Sequence, residues 1–168
     1  MNKRAALADF ETARKEWEAA FADVPDGALT YLKPGDDYAL GGLQVHVNWV
    51  LTHYSRILDG IVANGFGPLD PLDKPAEPEA ANRKAKAGLA VAERKPSVEE
   101  MERLHSSVLA AAGGVPDADW SRKAPVVYGA GQDPYETSTE DILGWLTDHY
   151  REHVQQSADL VAAWERTA

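Results

Sequence analysis

Apolar residues return along this chain at helical rather than strand spacing, in four segments. In the first, about 4–24, Leu7, Phe10, Trp17, Phe21 and Val24 fall at heptad-like intervals, and Pro25-Asp26-Gly27 is a strong stop signal. In the second, about 39–64, Leu40, Leu43, Val47, Val50, Leu51, Tyr54, Ile57, Leu58 and Ile61 share one broad face. Asn48, Thr52, Ser55, Arg56 and Asp59 take the other, so the segment is an amphipathic helix entering a core. The third is expected to begin at Ser97, where Ser97 and Glu100 have the spacing of a capping box. Its stripe is Met101, Leu104, Val108, Ala111 and Ala112, and Gly113, Gly114 and Pro116 end it. The fourth spans about 139–166 behind Ser138, with Asp141 in the first turn to suit the helix dipole.

The connections are uneven. Residues 65–96 are rich in proline and glycine at first and charged later, which predicts a long loop with a short helix around 79–92. Loops of this length in small domains are usually lids, binding loops or tethers. Residues 117–138 read as irregular, with a small hairpin around Gly129 to Asp133. Four long amphipathic helices without alternating strands or an internal repeat predict an all-α four-helix bundle, one domain over 1–168. The 65–96 connection is long enough to cross over the bundle.

Composition narrows the chemistry. The chain has 168 residues, enough for a core without staples, and no cysteine, so a transition-metal site would need nitrogen and oxygen ligands. The N-terminus carries charges early and has no apolar h-region, and no run approaches the roughly 20 apolar residues of a membrane span. A cytoplasmic location without a membrane partner is the expectation. The formal net charge of −10, from 27 acidic and 17 basic residues, argues against nucleic acid as a partner. The one dense basic run, 82–95, has no aromatic residue for base stacking and reads as a solvated segment.

All five histidines fall in predicted helices. In "DHYREH", His149 and His153 lie about 40° apart on a helical wheel, in one arc with Ile142, Leu146, Leu160 and Trp164. Asp148, Arg151, Glu152 and Gln155 lie on the opposite arc. Both imidazoles therefore face inward, where their nitrogens need partners. Residues four apart on a helix can reach one ion, so the pair is half of a metal site. The second helix offers His46 and His53, both on the margin of its apolar face. They are two turns apart, about 10 Å, so only one can join the primary set. His46 otherwise reads as pocket lining. His105, between Met101 and Val108, reads as a core histidine or as a support for a ligand.

Two motifs carry a resemblance. "WVLTHYSRIL", 49–58, and "DILGWLTDHYREHVQQ", 141–156, resemble the second-helix histidine motif and the last-helix H-x-x-x-H of the DinB/YfiT-like family of metal-binding four-helix bundles. Their order and separation agree with it, whereas residues 65–135 match only as loop, helix, loop. The resemblance implies that His53, His149 and His153 bind a divalent metal, with a fourth position for water or substrate. Zinc suits three nitrogens and an open position best, and nickel, iron or manganese also suit it. Some relatives are thiol-dependent S-transferases or maleylpyruvate isomerases. The isomerases often carry a further C-terminal domain and this chain ends after its fourth helix, so the transferase type is expected, with a small-molecule substrate and a low-molecular-weight thiol.

The same site would support hydrolysis by metal-bound water. The rival class is a non-catalytic metal-binding or oligomerising bundle, and a homodimer is common among bundles of this kind. Pocket residues would come from His46, Trp49, His105 and Tyr150, with Trp120 and Tyr128 from the loops; no catalytic side chain is assigned.

Overall fold

In the computed structural model, which describes residues 2–167, the helical periodicity becomes five α-helices among those residues rather than four. They are α1 (Lys3–Ala22), α2 (Gly42–Ala63), α3 (Ala76–Ala87), α4 (Val91–Gly114) and α5 (Thr139–Glu165). A two-stranded antiparallel hairpin, β1 (Ala124–Val126) and β2 (Tyr135–Thr137), precedes α5 and is the hairpin expected around 129–133. The four long helices close a ring of contacts, α1 with α5 and α4, and α2 with α4 and α5, while α3 packs on α2. The chain is thus all-α apart from the hairpin. No helix among the described residues is long and apolar enough to cross a membrane.

The apolar stripes meet in the middle of this ring. Phe10, Trp17 and Phe21 of α1, Leu43, Leu51, Leu58 and Ile61 of α2, Met101 and Val108 of α4, and Ile142 and Leu146 of α5 are all buried. Helix α5 begins as its sequence indicates. The Asp141 N–H donates to Ser138 Oγ at 3.1 Å, and the Ser138 N–H donates to Asp141 Oδ2 at 2.8 Å. This reciprocal pair satisfies two of the free donors at a helix start.

Helix α4 departs from expectation. It starts at Val91, six residues before Ser97, and runs through Pro96. A second cap lies upstream: the Ala90 N–H donates to Glu93 Oε2 at 2.8 Å, and Lys84 Nζ reaches the same carboxylate at 2.8 Å. Pro96 is in the second turn, where its missing N–H removes only one bond of the ladder. Ser97 is therefore a mid-helix residue, and its carbonyl accepts from Asn48 Nδ2 at 2.9 Å. The short helix expected at 79–92 lies at 76–87, ended by Gly88 in the left-handed region (φ +84°).

Close backbone packing sets the start of α2. A Cβ on Gly42 would stand 1.6 Å from the Ala85 carbonyl oxygen, so α3 rests on α2 where α2 has no side chain. The Ala39 N–H donates to that same carbonyl at 3.0 Å, and the Gly41 N–H donates to the Leu29 carbonyl at 3.0 Å. These bonds anchor the segment that carries Tyr38 over the first turns of α2. Further along, Leu69 pairs with the edge of β1: the Leu69 N–H donates to the Pro125 carbonyl, and the Val127 N–H donates to the Leu69 carbonyl, both at 2.9 Å.

Candidate metal centre

Helices α2 and α5 run antiparallel and bring three imidazoles to one point. His149 Nε2 lies 3.0 Å from His46 Nε2 and 3.0 Å from His153 Nε2. The donor atoms of His46, His149 and His153 all lie within 4.8 Å of one another, an arrangement that can hold a metal ion. The rings are inclined rather than stacked, with His149 and His153 at 88° and His46 and His153 at 89°. Their edges, not their faces, converge.

Hydrogen-bond accounting shows what the cluster lacks. His153 Nδ1 donates to Gln156 Oε1 at 2.8 Å, so its Nε2 carries the lone pair. His149 Nε2 faces two ring nitrogens, yet it has only one proton or one lone pair to offer them. His46 Nδ1 is buried without a partner, so no neighbour fixes that ring's tautomer. Burial disfavours the charged form of all three. It lowers His46 to about 4 and His149 to about 3, helped by their histidine neighbours, and it lowers His153 as well. At neutral pH these are neutral rings, and neutral imidazoles whose Nε2 atoms can turn lone pairs on one ion are the donor set a divalent cation requires. The residues fit the group.

The walls are aromatic. Tyr38 stacks on His46 at 4.4 Å between centroids, and Trp17 presents its edge to His153 at 6.2 Å. Trp17 is itself fixed by a buried relay across three helices. Its Nε1–H donates to Gln44 Oε1 at 2.9 Å, Gln44 Nε2 donates to Asn48 Oδ1 at 2.9 Å, and Asn48 donates to the Ser97 carbonyl of α4.

The sequence led to His53 as the third member; the structure brings His46 there instead. Because the helices are antiparallel, moving along α2 from His46 to Tyr54 corresponds to moving back along α5 from His149 to Trp145, whose ring meets Tyr54 at 5.8 Å. His53 is therefore level with the Trp145 turn, away from the cluster. Its Nδ1 is hydrogen-bonded to the Asp73 carboxylate, which also accepts from Arg56 at 2.8 Å. Trp49 lies beside His53, with the Arg56 guanidinium 5.9 Å from its ring centre.

His105 is a core histidine. It stacks on Phe10 at 4.0 Å, and its two nitrogens meet the Tyr150 hydroxyl and Glu11, each at 3.1 Å. Burial holds it down to about 4 against the opposing pull of Glu11. Tyr150 and Trp120 are buried, while the Tyr128 hydroxyl is hydrogen-bonded to Thr137 Oγ1 at 2.9 Å. Sequence reasoning missed Tyr38, Gln44, Asp73 and Gln156. Of these, Gln156 carries a legible signal, since it follows His153 at the i,i+3 spacing of helical neighbours.

Comparison with known proteins agrees with this architecture. The model of the DinB superfamily matches residues 9–157. A crystal structure of a protein from Streptococcus pneumoniae superposes with a TM-score of 0.64 at 12% identity, over 99% of this chain and 91% of that one. At that identity the likeness is one of fold. No curated protein matches the chain.

Proposed function

The chain belongs to the DinB superfamily, and from that premise we propose that it is a metal-dependent enzyme of the thiol S-transferase type, with its ion held by His46, His149 and His153. The observation that carries this reading is the approach of three neutral imidazoles, two of the Nε2 separations being 3.0 Å and all the donor atoms lying within 4.8 Å of one another. A tetrahedral ion with bonds of ~2.0–2.1 Å spaces its nitrogens ~3.3 Å apart, and an octahedral one ~3.0 Å. Zinc is the proposed ion because it suits three nitrogen ligands with one open position, and nickel, iron or manganese also suit that donor set.

An ion bound by three uncharged ligands keeps its full charge and supplies Lewis-acid chemistry, lowering the pKa of a bound thiol or water. The chain's own residues do the rest. Gln156 holds the proton of His153 on Nδ1, which orients that ring. Tyr38 stacks on His46 and Trp17 packs beside His153, which limits how far those two rings can turn. In the transfer, a sulfur–carbon bond forms to the electrophilic substrate as the bond to its leaving group breaks, and the thiol proton passes to solvent.

The test has two arms on protein purified without a metal-affinity column. Elemental analysis should find about one divalent ion per chain. A panel of small thiols with an activated electrophile should then show turnover that is lost in His149→Ala. Full metal occupancy without turnover by any thiol would instead support a non-catalytic metal-binding bundle.

A further inference from the structure

Away from the histidines, α2 and α5 together with the β1–β2 hairpin line an aromatic pocket. Trp145 lies one turn before His149 on α5, and Tyr54 lies two turns after His46 on α2. Their rings are 5.8 Å apart and inclined by 50°. Tyr128 stands 6.5 Å from Tyr54 at 62°, and Tyr135 stands 6.1 Å from Trp145 at 48°. Gln132 and Asp133, from the loop joining β1 and β2, complete an open surface pocket of about 490 Å³.

Two features of this lining point to one class of ligand. First, Tyr135 is 59% exposed, although its strand could have carried any polar residue, and Tyr54, Tyr128 and Trp145 pack against the core while remaining only partly buried. Second, Asp133 is the only charged residue in the lining, and it makes no hydrogen bond or ion pair among the described residues. The faces of aromatic rings carry negative potential and attract cations, most of all those without N–H groups to satisfy. The chain's net charge of −10 adds to that attraction.

We propose that Tyr54, Tyr128, Tyr135, Trp145 and Asp133 form a binding site for the quaternary ammonium group of a small organic cation. The site lies one turn from His149 along α5, about 6 Å, and two turns from His46 along α2, about 12 Å. A substrate of that length places its cationic end among the aromatic rings and its reacting end at the three histidines. This last step rests on the metal-dependent reading above; the ammonium site itself does not.

The experiment is a calorimetric titration of the full chain with choline and with its uncharged isostere 3,3-dimethylbutan-1-ol, on metal-free and metal-loaded protein. Choline should bind about ten-fold more tightly than the alcohol in both forms. Trp145→Leu should abolish the preference. Tyr135→Ala and Asp133→Asn alter exposed positions and so keep the fold; each should weaken choline several-fold while leaving metal content unchanged. Equal binding of the two probes, binding of neither, or choline affinity unaltered in both exposed variants would overturn the proposal. A failed metal reading gives a different pattern: choline discrimination persists in a protein that takes up no ion.

Discussion

His153 and Gln156 form a pair one helical turn apart in which Nδ1–H of the histidine donates to Oε1 of the glutamine at 2.8 Å, leaving the Nε2 lone pair directed at His149. Partners of this kind fix tautomer and ring orientation, and their loss typically lowers metal affinity 10- to 100-fold. Gln156→Leu should therefore weaken zinc binding by about that factor in competition with a chelating dye. The circular dichroism spectrum should not change. Unaltered affinity would mean that Gln156 does not orient the ring.

Burial of uncharged histidines links stability to pH. His46 and His105 are held at about 4 and His149 at about 3 by desolvation, below the ordinary value of 6.5. Between these values the unfolded chain binds more protons than the folded one, so stability rises with pH across the window. In metal-free protein it should be fully present above pH ~6.5 and lost progressively as the pH falls toward ~4. Urea midpoints measured from pH 7.5 to 5 should decline, with the fall beginning near pH 6.5 rather than near the carboxylate range. A flat profile down to pH 5 would contradict the burial of neutral rings.

The seam at Gly42 offers a test of how the site is framed. Alanine gains about 1 kcal/mol over glycine in a helix interior, and less at Gly42, the first residue of α2. Here its methyl would meet the Ala85 carbonyl oxygen at 1.6 Å, which forces α3 and the segment bearing Tyr38 away from α2. Overpacking of this kind typically costs about 1–3 kcal/mol, which outweighs the propensity gain. Gly42→Ala should lower the thermal midpoint. An unchanged or higher midpoint would show that the seam is loose.

What could be read without the structure is what local chemistry decides. The stripe Phe10-Trp17-Phe21, the Ser138–Asp141 cap and the inward arc of His149 and His153 depend on residues within a few turns of one another. The start of α4 is obscured because its N-cap, Ala90, has no side-chain acceptor and is marked only by the Glu93 carboxylate returning to the Ala90 N–H, whereas the capping-box spacing of Ser97–Glu100 lies inside the helix. The third histidine was harder still. His46 and His53 differ by almost two whole turns, so they share one position on the wheel and differ only in height. Height is set by the antiparallel packing of α2 on α5, a long-range property. Asp73, which occupies His53, comes from a loop with no periodic signal at all.

That choice between two histidines is the most direct test of the account. Metal content should be measured per chain, by elemental analysis of untagged protein, in the parent chain and in His46→Ala and His53→Ala. About one ion is expected in the parent and in His53→Ala, and almost none in His46→Ala. Retention of the ion in His46→Ala together with its loss in His53→Ala would contradict the assignment of His46, His149 and His153 as the metal centre.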